Sequence, residues 1–496
     1  MRRILWSIPF LLVFSALQGS SLLELVGAPD SVNPFSARTV TIGPESAYFN
    51  PALLVGQQDS GRGAFFMMVE SLFIDHLKKD PKYNVTDEIY QAASNEINKV
   101  GADVPYRDQR FTPLPTAGLL NERGSTDYND IKMVIALGAT KTIIDEWLTL
   151  GLYMLLPATS VQTQTPYYND EREQFFSNSL HFELLEDRSQ QFNIAIGLGG
   201  KVNKYLHLGA GLSFTSYTLT QTDVYVPDSS DPAFQILNTS INVTGSLSPH
   251  FSFAAYPIDD LVITGTAHLQ SDNGQIELQN KTQVWGWDYE NDDQRYLGSA
   301  GSMTYGYEPL RVGGGISYAF DIGHDYKLAP VIGGMWHHWA TYENRHGTKP
   351  SDRWRETASV NAGLHLKHEE RQVGFDFQFV QSPVPEQTGR ETYVDNHRLI
   401  WAGGWTEYFE FEKVTVAGGV QAQLQWLLYH TTMKDLSRGE DDGGIVDEFP
   451  DDANNYLNPG VPFASAQGLQ TNNPGFPGFR SGGFLIGTSL FVKILY

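Results

Sequence analysis

The chain has no cysteine in its 496 residues, so it holds no disulfide framework, thiolate nucleophile or cysteine-based metal site. Beyond the N-terminus it also lacks the uninterrupted apolar run of about twenty residues that a helix needs to cross a bilayer. This argues against a helical membrane protein but not against a membrane protein, because membrane-spanning strands alternate in polarity and keep average hydropathy low. Basic residues are scarce: 34 Lys and Arg stand against 57 Asp and Glu, a formal charge of -23. Such a balance argues against nucleic acid as a partner and suits exposed loops that must stay soluble. No phosphate-binding loop is present, so no energy source is encoded. Ser, His and Asp are numerous, but no Ser/His or paired-carboxylate motif surrounds them. No catalytic residue, cofactor or metal is therefore assigned, and an enzyme is the less favoured class.

What is present is alternation. From Phe484 every second residue, Ile486, Thr488, Leu490, Val492, Ile494 and Tyr496, suits lipid, while Gly483, Leu485, Gly487, Ser489, Phe491, Lys493 and Leu495 form the other face. The same sorting recurs around Phe192 to Gly199, Leu206 to Thr215, Ile241 to Phe253 and Val414 to Trp426. A helix would need apolar recurrence at three and four residues, which these segments lack. Strands are expected to begin near 64, 131, 146, 190, 205, 241, 260, 307, 326, 352, 370, 396, 413 and 483, about fourteen in all, an even number as single-chain bacterial barrels require. Tight links at 140–146, 201–205, 257–260, 321–325, 368–370 and 409–413 alternate with long ones, as periplasmic turns and outer loops would. The expected fold is all-β: a transmembrane antiparallel barrel in a bacterial outer membrane, closed by pairing the last strand with the first. That C-terminal strand, ending on an aromatic residue, is the expected signal to the barrel-assembly machinery.

The N-terminus divides further. Arg2 and Arg3, the apolar stretch Ile4 to Leu17 and the small Gly19, Ser20 and Ser21 read as a signal peptide over 1–20. Residues 21–62 lack alternation and are too many for a leader, so a plug inside the barrel is expected, with the barrel over 63–496. Within the plug, Asn50 precedes Pro51 and is biased away from helix, and its side chain can bond nearby backbone to fix a turn.

In that position the pattern G-x-x-S-A-x-x-N-P-A, Gly43 to Ala52, resembles the N-terminal hatch of the FadL/TodX family of outer-membrane transporters for long-chain fatty acids and other hydrophobic molecules. Ser382-Pro383-Val384-Pro385, then Asp395-Asn396-His397-Arg398 and Trp401-Ala402-Gly403-Gly404, resembles a strand, loop and returning strand of the same family. Trp354-Arg355 followed by Asn361-Ala362-Gly363 is a looser match to the strand before it. The outer loop from Thr431 to Phe479 and the link from His76 to Asp130 are longer than the resemblance leads one to expect.

The resemblance implies passive, ligand-gated uptake: capture by outer loops, transfer to an apolar lumenal pocket, hatch movement and lateral exit into the membrane. It marks Asn50, Pro51 and Ala52 as hatch or gating residues and Ser382, Pro383, Val384 and Pro385 as a loop motif. It offers Arg353 and Arg355 as partners for a ligand carboxylate, against a salt bridge within the acidic loops. The implied partners are a long-chain fatty acid or similar hydrophobic molecule and the lipid and lipopolysaccharide of the outer membrane; a monomer is expected. A porin for polar solutes is the alternative, discriminated by the absence of a plug; an adhesin would have an empty or side-chain-filled lumen. Trp336 and Trp339 are expected in an interfacial aromatic girdle. No metal partners accompany His337 and His338. Asp435, Glu440, Asp441, Asp442, Asp447, Glu448, Asp451 and Asp452 are read as a solvated acidic loop in preference to a calcium site, since their spacing matches no EF-hand.

Overall fold

The computed structural model describes residues 22–76, 125–158, 180–181, 191–217, 223–225, 235–271, 274–284, 295–305, 307–343, 349–389, 391–435, 437–438, 442 and 478–496. The expected signal peptide and most acidic residues of the last outer loop lie outside this set.

Fourteen antiparallel strands close into a barrel. In chain order they are β1 Ser60–His76, β2 Ser125–Ile144, β3 Leu148–Pro157, β4 Gln191–Asn203, β5 Leu206–Tyr217, β6 Ser246–Ala255 and β7 Leu261–His268. The second half comprises β8 Arg311–Tyr318, β9 Tyr326–His337, β10 Thr357–His368, β11 Arg371–Val380, β12 Arg398–Glu410, β13 Thr415–Met433 and β14 Gly478–Leu495. Each strand pairs with the next, and β14 pairs with β1 from Ser60 opposite Leu495 to His76 opposite Phe479. Closure leaves no strand edge with unpaired amides in hydrocarbon, where each such group costs several kcal/mol. No described helix is long and apolar enough to cross a membrane.

Side-chain exposure follows the sequence pattern. On β14, Phe484, Ile486, Leu490, Val492 and Ile494 are exposed, and Leu485, Ser489, Phe491 and Lys493 are buried. Phe65, Ile131, Leu152, Ile196, Phe251, Ile332 and Phe375 continue the outward apolar band around the barrel. The short links carry the left-handed backbone that tight hairpins demand: Glu146, Asp260, His324, Asp325 and Glu369 all have positive φ.

One expected strand is divided. The alternating run expected from near 241 extends back to Gln235 but breaks at Gly245: Gln235–Thr244 joins a four-stranded sheet with Asp223–Tyr225, Gly274–Val284 and Arg295–Tyr305, and only β6 belongs to the barrel. A Cβ at Gly245 would fall 2.2 Å from the Phe214 ring, so a larger residue at the break would push that ring aside.

The lumen is filled by the N-terminal segment. Helices α1 Leu22–Val26, α2 Ala37–Val40 and α3 Ser46–Phe49 and a 3-10 turn Pro51–Leu54 lie almost wholly buried within the strands. The wall meets this hatch at backbone distance: a Cβ on Gly209 of β5 would lie 2.2 Å from the Ala52 amide nitrogen.

Candidate functional site: the hatch seat and the cleft above it

Helices of four or five residues are too short to be stable alone. The wall therefore holds the hatch, and it does so through inward polar side chains. On β11, buried Asp376 accepts from the Phe35 amide at 2.8 Å, the Ser36 amide at 2.9 Å and Asn33 Nδ2 at 2.9 Å. On β13, Gln421, Gln423 and Gln425 donate to the carbonyls of Ala28, Val26 and Leu25 at 3.3, 3.0 and 2.9 Å. Ser489 donates to the Pro29 carbonyl at 2.5 Å. Nearer the short-turn end, Arg62 of β1 pairs with Glu45 of the hatch at 2.5 Å, and Tyr153 donates to Asp30 at 2.8 Å. Arg62 also donates to the Ile42 carbonyl at 2.6 Å, while Arg62 Nε and Glu45 Oε2 have no hydrogen-bond partner among the described residues, so the pair orients the hatch more than it stabilises it.

Asn50 forms the turn its sequence suggests. Its Oδ1 accepts from the Ala52 amide at 3.2 Å, and its Nδ2 donates to the Arg38 carbonyl at 3.1 Å, tying α2 to the 3-10 turn. The Ala52 amide also donates to Ser252 Oγ of β6 at 3.0 Å. Asn50, Pro51 and Ala52 are all buried against the wall.

On the outer side of α1 a cleft opens beneath the loops, walled by Glu24 of the hatch, Arg311 of β8, Arg398 of β12, Trp339, Val380 and Pro383. Arg311 is fully buried: it forms an ion pair with Glu24 at 3.1 Å, bonds Glu308 at 2.6 Å and donates to the Tyr48 hydroxyl at 2.9 Å. Arg398, also buried, donates to Gln425 Oε1 at 3.3 Å and feels the charges of Asp395 and Glu24. The cleft, of about 40 Å³, has a mixed lining in which the guanidinium groups, Asp395 and neutral polar side chains such as Gln378 meet Pro309, Trp339, Val380 and Pro383.

The loop motif supplies Pro383 to this lining. The Ser382 amide donates to His397 Nδ1 at 2.9 Å, the Val384 amide to Ser382 Oγ at 3.3 Å, and the Pro383 carbonyl accepts from the Arg355 amide at 2.9 Å. Val384 packs against a buried cluster of Tyr307, Trp339, Tyr342, Trp354 and Tyr393. Arg353 and Arg355 flank Trp354 but are themselves exposed, so the structure brings Pro383 to the cleft, sets Val384 on the aromatic cluster and leaves these two arginines on the surface. Sequence reasoning passed over Arg311. It quoted Arg398 within a motif without giving it a role. The girdle reading is corrected for Trp339: Trp336 is 40% exposed and faces outward, whereas Trp339 is 4% exposed and packs into the aromatic cluster.

The last outer loop is fastened to its neighbours at its base. Arg438 binds both carboxylate oxygens of Asp352 at 2.9 Å, and Lys434 donates to the Glu391 carbonyl at 2.6 Å. Burial pushes the Lys434 ammonium down to about 7, against the raising pull of Asp352 and Glu391. No cluster of metal-ligating side chains occurs among the described residues.

Over 97% of its length, this chain superposes on 99% of a Pseudomonas aeruginosa FadL homologue, with a TM-score of 0.53 and 13% identity. It has a FadL-type fold. The CymD monoaromatic hydrocarbon channel is similar at a TM-score of 0.47 and 10% identity, covering 96% of this chain and 99% of that one. The Pseudomonas putida toluene transporter TodX is similar at 0.42 and 9%, covering 97% and 99%. No protein-family model and no curated protein matches the chain. At these identities the likeness establishes the FadL-type fold, and the function is argued from the site.

Proposed function

We propose that this protein is an outer-membrane channel for passive, ligand-gated uptake of hydrophobic molecules, with long-chain fatty acids as the ligand class. The observation that carries this reading is the barrel closed around a buried N-terminal segment, with a cleft of about 40 Å³, the size of a head group and not of a whole amphiphile, in which Arg311 and Arg398 lie beside Trp339, Val380 and Pro383. An amphiphile matches both halves, since each buried methylene contributes about 0.8 kcal/mol and a carboxylate can pair with a guanidinium. Arg353 and Arg355, exposed beside the loop motif, are cations that an arriving carboxylate can meet. The ligand then enters the cleft, the hatch shifts about its Asn50-Pro51-Ala52 turn, and the ligand leaves sideways through the wall into the membrane. The fold shared with a FadL homologue supports a channel for hydrophobic molecules. On this reading residues 1–20 are a signal peptide, the barrel works as a monomer contacting lipid and lipopolysaccharide, and no catalytic step is involved.

The rival is a porin for polar solutes, and the filled lumen speaks against it. Lipid mass spectrometry on the purified barrel after detergent extraction tests the two. Enrichment of fatty acids or hydrocarbons is the expected result. Large, stable single-channel conductance without a bound apolar ligand would overturn it.

A further inference from the structure

Resting on that uptake reading, we propose that the cleft selects hydroxylated acids: Arg398 holds the carboxylate of a 3-hydroxyalkanoate, and the side-chain amide of Gln378 takes its hydroxyl.

The two cleft arginines are not equivalent. Arg311 is engaged by Glu24 at 3.1 Å, by Glu308 at 2.6 Å and by the Tyr48 hydroxyl at 2.9 Å. Arg398 is only 5% exposed, yet its hydrogen bond goes to the neutral Gln425 at 3.3 Å, and it forms no ion pair among the described residues. Asp395 and Glu24 act on it through charge alone. A buried guanidinium without an acid in contact gains most from a carboxylate that arrives at hydrogen-bond distance.

Gln378 supplies the second half. The inward row of β11 runs Asp376, Gln378, Val380. Asp376 anchors the hatch, and Asn361, which faces Gln378 from β10, donates to Ser36 of the hatch at 3.1 Å. Gln378 is 5% exposed and lines the cleft, but its Oε1 has no hydrogen-bond partner among the described residues. Seating the hatch therefore does not account for this oxygen. A buried polar atom in that condition favours a ligand that supplies a partner over one that presents a methylene. A hydroxyl both donates and accepts, so it satisfies the amide whichever way the amide is turned.

Spacing selects the position of the hydroxyl. Val380 stands opposite Arg398 across the β11–β12 pair, and Gln378 is the next inward residue along β11. Arg398 and Gln378 are thus diagonal neighbours on one face, with backbones about 7–8 Å apart, a gap that two long side chains narrow to one head group. A 2-hydroxyl lies beside its own carboxylate and falls on the same guanidinium. A 3-hydroxyl stands one carbon further along, toward Gln378. The cleft of about 40 Å³ takes this head group alone, and the alkyl tail runs out past Trp339 and Pro383.

The test uses the full-length barrel in a non-ionic detergent, with dodecanoate and 3-hydroxydodecanoate as probes in calorimetric titrations, each corrected for its partition into protein-free micelles. The wild type is expected to prefer the hydroxy acid about tenfold, the scale of one buried amide gaining its partner. Gln378→Leu should abolish the preference while dodecanoate still binds, a change that general loosening of the cleft would not produce. Arg398→Gln should weaken both acids and leave their ratio as it was. Equal wild-type affinities overturn the hydroxyl subsite and leave the uptake reading standing, and this result needs no variant to fold. A preference that survives Gln378→Leu overturns the assignment to Gln378. Failure of the wild type to bind either probe removes the uptake reading as well.

Discussion

Asp376→Ala isolates what seats the hatch. The carboxylate is fully buried and accepts from three donors, the Phe35 and Ser36 amides and Asn33 Nδ2. Alanine leaves the Phe35 and Ser36 amides without an acceptor, at about 1–3 kcal/mol for each buried donor left unpaired, while Asn33 Nδ2 keeps the Leu364 and Phe375 carbonyls. Because the two amides are adjacent, one entering water can serve both, so we expect a local loss of roughly 2–4 kcal/mol rather than the full sum. At 1.4 kcal/mol per factor of ten, that raises local opening of the Asn33 to Ser36 turn by roughly thirtyfold or more. The barrel is spared, because β11 pairs with β10 and β12 through backbone ladders in which the Asp376 side chain takes no part. Hydrogen exchange followed by mass spectrometry, on a peptide spanning residues 31–40, reads the opening directly. Heat-modifiable gel mobility reports on barrel closure in the same sample. Asp376→Asn, which keeps one carbonyl acceptor, should fall between. Unchanged protection over 31–40 in Asp376→Ala would refute the assignment of Asp376 as a hatch anchor.

Gly209→Val should force the Ala52 turn off the wall, since even a Cβ meets the Ala52 nitrogen at 2.2 Å; overpacking of about 1–3 kcal/mol should appear as a lowered melting temperature and faster exchange over 48–57. Gln423→Leu and Gln425→Leu together should loosen α1 by about 1–2 kcal/mol per lost acceptor contact, seen as faster exchange over 22–28, and unaltered exchange there would count against the glutamine row as a seat. Lys434 gives a pH dependence. Its folded value, about 7, lies below the ordinary lysine value of 10.5, so between those limits the undocked loop base binds the extra proton and docking tightens as pH rises, by about 1.4 kcal/mol per unit. Trypsin cleavage at Arg438 should slow from pH 7 to 9, and Lys434→Met should abolish the trend.

The outward half of the fold was legible because one rule governs it. Every lipid-facing position must be apolar, strands alternate with period two, and closure demands an even ring, so β14 could be assigned a face residue by residue before any partner was known. The lumen obeys no such period. Asn33 meets Asp376 across 343 residues and Gln425 meets Leu25 across 400, and no local spacing encodes contacts between a wall and a separate plug. Where a local signal existed it worked: Asn50 before Pro51 gave the turn, and it is there. The error at Trp339 came from grouping it with Trp336 by composition. Alternation counted from the outward Trp336 already turns residue 339 inward, and the chain confirms it by leaving β9 at His337 for a 3-10 turn over Trp339–Thr341.

The same distinction explains the arginines. Arg353 and Arg355 are offered by the family resemblance, and at the rim they remain solvated: exposed charges need no partner to be stable. Arg311 and Arg398 lie alone in strands where a lumen-facing cation has to be compensated, and the compensation comes from the hatch and neighbouring loop segments. A lone arginine at an inward position of a barrel strand is thus the stronger sign of an internal site than a pair at the rim. In this chain it leads to a cleft where Glu24 of the hatch, Arg311 and Arg398 of the wall and Pro383 of the loop motif meet.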